Sequence, residues 1–123
     1  MKIKNRNNSK CYTDPHGNKL WRDQKNRLHR EDGPAAEWTD GFKEWWLNGQ
    51  RHRKNGPAIE RPNGTKEWWA HGQLHREDGP AVEYAGGLKG WWLFDVQYIE
   101  KEYWTKIYEM GLITKEDLFL KLL

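Results

Sequence analysis

Three histidines, His29, His52 and His75, stand 23 residues apart, and each is followed by an arginine, Arg30, Arg53 or Arg76. Imidazole nitrogens bind zinc, and neutral imidazole is a usable base, so such a row could hold a metal ion or move protons. Geometry argues against both. If the spacing is a structural period, equivalent residues on successive strand pairs lie roughly 10 Å apart, too far for one ion with bonds of about 2 Å. Glu37, Glu44, Glu60, Glu67 and Glu83 form a second series. Two carboxylates about 5 to 10 Å apart across a cleft can cleave a glycosidic bond, but a stripe repeated along a sheet is not a cleft. Arg30, Arg53 and Arg76, with Lys43, Lys66 and Lys89, are expected to neutralise it, because like charges placed opposite each other on a sheet are unfavourable. No nucleophile, base and orienting group group together, and the glycines sit singly at turns instead of forming a phosphate loop. The expectation is a protein that is not an enzyme and has no metal and no cofactor.

A residue that recurs in every unit is placed first by architecture. LHREDGPA occupies residues 28–35 and again 74–81, with RHRKNGPA at 51–58 between them. Full units run over 28–50, 51–73 and 74–96, and Pro15, Gly17, Lys19 and Trp21 mark a half unit over 15–27. Turn dipeptides punctuate them: Asp32-Gly33, Asp40-Gly41 and Asn48-Gly49, then Asn55-Gly56, Asn63-Gly64 and His71-Gly72. Asn-Gly and Asp-Gly favour tight type I′ turns, which predicts antiparallel hairpins with strands of about five to six residues. Pro34, Pro57 and Pro80 lack an N–H to donate and belong at strand starts or edges. A two-residue turn at Asp40-Gly41 would set Ala36 against Trp45 and Glu37 against Glu44, with Ile59 against Trp68 and Val82 against Trp91. Side chains alternate along a strand, so paired tryptophans point to opposite faces. Trp45, Trp68 and Trp91 are then the packed ladder. Trp46, Trp69 and Trp92 form a second ladder, partly covered by Leu28 and Leu74 and otherwise open to a partner; the alternative is that both ladders are sandwiched in a twisted sheet or covered by the terminal helix.

Beyond the repeats the period changes to that of a helix. Ile99, Tyr103, Ile107 and Met110 fall on one helical face, Gly111 suits the helix end, and Thr114 with Asp117 reads as a capping pair before an apolar terminus, Leu118 to Leu123. A repeat array needs its last unit covered, so residues 98–123 are read as a helical cap, with target docking or homodimerisation as the alternative use of that face.

Composition fits a thin core. Only 36% of residues are hydrophobic and mean hydropathy is −1.15, yet nine tryptophans can each bury about 150 to 250 Å². The single Cys11 excludes an internal disulfide or a C-x-x-C pair. No apolar run approaches the roughly 20 residues of a membrane span and no leader-like stretch opens the chain, so a cytoplasmic protein with no membrane span is expected. The net charge of +3 is uneven, with nine Lys or Arg against two Asp in residues 1–30. Residues 1–14 are read as a basic arm able to touch nucleic acid or an acidic partner.

The pattern W-W-x-N-G-Q-x-H-R-x-x-G-P-A resembles a MORN-type repeat, in the divergent form seen in bacteria, bacteriophages and large viruses. It covers residues 15–97, with the aromatic Trp46 two places before Asn48-Gly49, then His52 and Gly56; HR-x-x-GPA replaces the usual glycine-rich H-G-x-G. The resemblance implies stacked hairpins in an elongated twisted sheet that scaffolds protein or lipid contact, and no catalytic residue. The fold class expected is mostly β, with a C-terminal helical cap. The function expected is a protein-binding module, in one form a small viral or bacterial protein that inhibits or sequesters a host protein. Its contact residues would be Trp46, Trp69, Trp92, Arg30, Arg53, Arg76, His52 and His75. The alternative is binding of single-stranded nucleic acid or nucleotide, in which exposed aromatics stack bases and the basic arm neutralises phosphates.

Overall fold

The computed structural model describes residues 9–123. Nine strands form one antiparallel sheet, in spatial order β1 (Lys10–Thr13), β2 (Lys19–Arg22), β3 (Ala36–Glu37), β4 (Lys43–Glu44), β7 (Ile59–Glu60), β8 (Lys66–Glu67), β11 (Val82–Glu83), β12 (Lys89–Leu93) and β13 (Val96–Tyr98). Two small hairpins branch from it, β5 (Trp46–Leu47) with β6 (Gln50–Arg51), and β9 (Trp69–Ala70) with β10 (Gln73–Leu74). The first two repeats thus each contribute a hairpin to the main sheet and a short hairpin beside it, whereas in the third the equivalent hairpin, β12–β13, is part of the main sheet. Part of the segment read as a basic arm is a strand. Residues 1–8 lie outside the described residues, whereas Lys10 to Thr13 pair with β2 as the edge strand of the sheet.

Two kinds of hairpin turn form, and the dipeptide does not decide which: Asn63-Gly64 turns as Asp40-Gly41 does, not as Asn48-Gly49 does. Asn48 and Gly49 take φ of +51° and +77°, and Leu47 pairs with Gln50, which is the two-residue type I′ turn expected. At Asp40-Gly41 the loop is one residue longer. Gly41 alone is left-handed, at φ +94°, while the N–H groups of Trp38 and Gly41 donate to the carbonyls of Phe42 and Trp38, both at 2.9 Å. This is a three-residue turn with glycine in the bulge position, and it shifts the register by one. Ala36 therefore pairs with Glu44, Ile59 with Glu67 and Val82 with Gly90, in place of Trp45, Trp68 and Trp91. Glu37 pairs with Lys43, so the predicted Glu37–Glu44 clash does not arise.

That register writes alternating charge across the sheet. Lys19, Glu37, Lys43, Glu60, Lys66, Glu83 and Lys89 are successive cross-strand partners. Opposite-charge pairs of this kind are worth roughly 0.2 to 1 kcal/mol each, and they hold the order of hairpins as well as their pairing. The strands themselves are two residues long through most of the repeats, shorter than expected. The ladder is interrupted at Trp45 and Trp68, whose N–H groups donate instead to the carbonyls of Ala58 and Ala81, each at 2.7 Å.

The core is thin along the repeats and thick at the C-terminal end. Ala35, Ala36, Ala58, Ile59, Ala81 and Val82 are buried under the sheet. The larger cluster is Leu93, Tyr103, Trp104 and Ile107, with Trp91, Tyr98, Ile113 and Leu118 packed against it. It joins the last strands to α1 (Glu100–Glu109), on which α2 (Lys115–Leu122) lies. The Thr114–Asp117 capping box begins α2 as expected, and the Thr114 hydroxyl holds the Asp117 carboxyl below its usual range. The buried face of α1 differs from the periodic one: Trp104 is buried, while Ile99 and Met110 bracket the helix and are exposed.

Candidate functional site

The HR-x-x-GPA segment is not a hairpin. Gly33 and Gly79 do not adopt a left-handed φ, whereas Gly56 has φ +131°; all three loops wrap their own arginine. The guanidinium carbons of Arg30, Arg53 and Arg76 sit 3.9, 3.9 and 3.8 Å from the ring centres of Trp21, Trp45 and Trp68, each in the preceding unit. Nη1 then donates to the carbonyl of Pro34, Pro57 or Pro80 at 3.1, 3.0 and 3.0 Å. A Cβ on Gly33, Gly56 or Gly79 would fall 2.8, 3.0 or 2.9 Å from the guanidinium carbon, so glycine is required by close approach. Proline, lacking an N–H, leaves its carbonyl facing this donor.

The histidines are locks of the same kind. Nδ1 of His29, His52 and His75 accepts the N–H of Asn48, His71 and Phe94 at 2.9, 3.1 and 3.0 Å, the first residue of the tight turn that ends each unit. His52 stacks on His71 with ring centres 4.3 Å apart, and His75 lies 4.1 Å from Phe94. In the third unit the turn is Phe94-Asp95, both left-handed at φ +49° and +66° without a glycine. Asp95 Oδ1 accepts the N–H of Leu74 at 2.7 Å, and the His75 bond holds the other residue. Among the described residues no group of three or more His, Cys, Asp or Glu is placed to hold a metal ion.

Burial, and then the neighbouring His71, push the His52 imidazole below its ordinary value near 6.5. The unfolded chain then binds a proton at His52 more readily than the folded one. Its contribution to stability is complete above pH 6.5 and is lost as pH falls through the lower folded value. The urea midpoint is expected to fall as pH drops below about 6.5, and a His52→Gln variant should show a shallower pH slope there.

Both tryptophan ladders are half-buried, which corrects the expectation of one packed face and one open face. Arginines roof Trp21, Trp45 and Trp68, and Tyr103 and Trp104 pack on Trp91 at 4.9 and 5.7 Å. On the other ladder Arg51 lies 5.3 Å from Trp46 and 5.1 Å from Trp69. The Trp69 indole donates to Glu67 at 3.1 Å, whereas the buried indole nitrogens of Trp46 and Trp92 have no hydrogen-bond partner among the described residues.

Of the eight residues expected to make contacts, five converge. His52, Arg53, Trp69, His75 and Arg76 line one open cleft of about 570 Å³ between the second and third repeats, with Trp68 beside them and Leu112 of the α1–α2 connection at its rim. Trp46, Trp92 and Arg30 lie outside it. Among the residues the cleft adds to those expected are Lys54 and Asn55. Their signal is in the sequence, where the second unit departs from its near-identical neighbours: Arg51, Lys54 and Asn55 stand where the others have Leu, Glu and Asp. That unit has five basic and two acidic residues, net +3, between units of −3 and −2.

The class defined by this architecture is a mostly β protein, a nine-stranded antiparallel sheet of repeated hairpins with two packed C-terminal helices. No helix among the described residues is long and apolar enough to cross a membrane. Comparison with protein-family models, curated proteins and solved structures finds no match to this chain.

Proposed function

We propose that this protein is a non-enzymatic binding module of MORN-type repeats that docks a protein partner on the cleft between its second and third repeats. The observation that carries this reading is the convergence of Trp69, His52, Arg53, His75 and Arg76 on one open concavity. Tryptophan and arginine are the side chains that most often dominate the energy of protein interfaces when they meet in a pocket. Sequestration or inhibition of a host protein, one concrete form of such binding, requires no more than such a surface.

The test is affinity capture from nuclease-treated lysate, identification of the retained protein, and calorimetry with that protein and a Trp69→Ala variant. Removing one hot-spot ring is expected to weaken binding by at least about tenfold, with the far-ultraviolet circular dichroism unchanged. Unchanged affinity, or capture of nucleic acid alone when nuclease is omitted, would sink the reading; the second result would favour the single-strand alternative.

A further inference from the structure

The near-identity of the repeats makes the second one informative. In the first and third units the arginine Nε donates to an aspartate of its own loop, Arg30 to Asp32 at 3.0 Å and Arg76 to Asp78 at 2.9 Å. The adjacent histidine Nε2 faces a glutamate, Glu31 at 3.9 Å from His29 and Glu77 at 3.6 Å from His75. In the second unit both acids are gone. Asn55 replaces the aspartate and Lys54 the glutamate, so among the described residues Arg53 keeps only Glu60, 3.7 Å from Nη1, and His52 has no carboxylate. The chain itself thus displays, in two copies, what the middle loop lacks: two carboxylates at neighbouring positions.

Resting on the docking reading above, we infer that the cleft takes an acidic peptide segment, whose two adjacent carboxylates occupy at Arg53 and His52 the places that Asp and Glu fill in the flanking repeats, with Lys54 adding a positive charge beside them. The cleft is asymmetric in the way this requires. Its second-repeat wall carries Arg53 and Lys54 without loop acids, whereas on the third-repeat wall Asp78 and Glu77 neutralise Arg76 and face His75. An apolar side chain beside the carboxylates meets Trp69 and Leu112. A nucleic-acid strand fits less well. Its phosphates continue in both directions, and a strand crossing the repeats meets units of net −3 and −2 on either side of the positive one. A short acidic segment presents its charge only where the chain is positive.

The probe is a fluorescein-labelled glutamate–tyrosine copolymer, followed by fluorescence anisotropy. The decisive variant carries Lys54→Glu and Asn55→Asp together, which writes into the middle loop the residues that already fold in the other two. The wild-type chain is expected to bind the copolymer, to bind it more weakly as salt rises, and to bind a glutamine–tyrosine copolymer far less. The double variant should lose at least about tenfold in affinity. Equal binding by the variant would overturn the inference, because attachment through the basic residues near the N-terminus is indifferent to this change. So would failure of the wild type to bind, or tighter binding of oligothymidylate than of the copolymer. A captured protein partner that is released by Trp69→Ala but retained by the double variant would leave the docking reading standing and remove the acidic segment alone.

Discussion

Replacing Tyr103 with alanine is expected to lower the free energy of unfolding by about 3 to 5 kcal/mol, the range for deleting a large aromatic from a packed core. The ring is fully buried, 4.9 Å from Trp91 and 5.0 Å from Trp104. Its hydroxyl donates to the carbonyl of Arg76 and accepts the N–H of Gly79 at 3.3 Å. Burial pushes the phenol up to about 12, so it remains a donor throughout the range in which the protein is handled. Tyr103→Phe separates the two contributions. It keeps the ring and leaves the two backbone groups unpaired, for an expected loss of about 1 to 3 kcal/mol. Urea denaturation of both variants, followed by tryptophan fluorescence, checks the order. A Tyr103→Ala midpoint equal to that of the wild type would mean that α1 does not close the array.

Tyr103 also shows where the sequence runs out. Trp21, Trp45 and Trp68 are each covered by the arginine of the following unit, and Trp91 has no following unit. A helical cap was legible from the switch of period after residue 97. That this tyrosine would take the place of the missing arginine was not, because its spacing from Trp91 belongs to no repeat. The registers divide in the same way. Asn48-Gly49 and Asn63-Gly64 carry the same dipeptide, yet the first makes a two-residue turn and the second, like Asp40-Gly41, a three-residue turn with a glycine bulge. Only the packing of the whole ladder, with lysine opposite glutamate at every step, selects the three-residue turn.

The cleft was hidden for a related reason. Its walls come from segments 23 residues apart whose approach depends on that register, so the ladder of tryptophans looked like the exposed feature and the arginines like its fringe. The charge departure at Lys54 and Asn55, by contrast, needed no structure. It becomes informative once the same positions in the other units are seen to pair with arginine and histidine.

The arginine clamp yields the second large effect. Arg76→Ala removes the guanidinium from the face of Trp68, its 3.0 Å bond to the Pro80 carbonyl and its 2.9 Å bond to Asp78, for an expected loss of about 2 to 3 kcal/mol. Arg76→Lys should recover little of it, since a single ammonium cannot lie flat on the indole and fork to two acceptors. Gly79→Ala attacks the same clamp from the other side. Gly79 has no left-handed φ, so the backbone tolerates alanine, and the penalty comes from a Cβ placed 2.9 Å from the Arg76 guanidinium carbon. The two substitutions should therefore be strongly non-additive: about 1 to 2 kcal/mol for Gly79→Ala in the wild type, and close to none once Arg76 is already alanine. Additive losses in the four urea midpoints would show that glycine serves the backbone and not the arginine, and the HR-x-x-GPA loop would then need a different physical explanation.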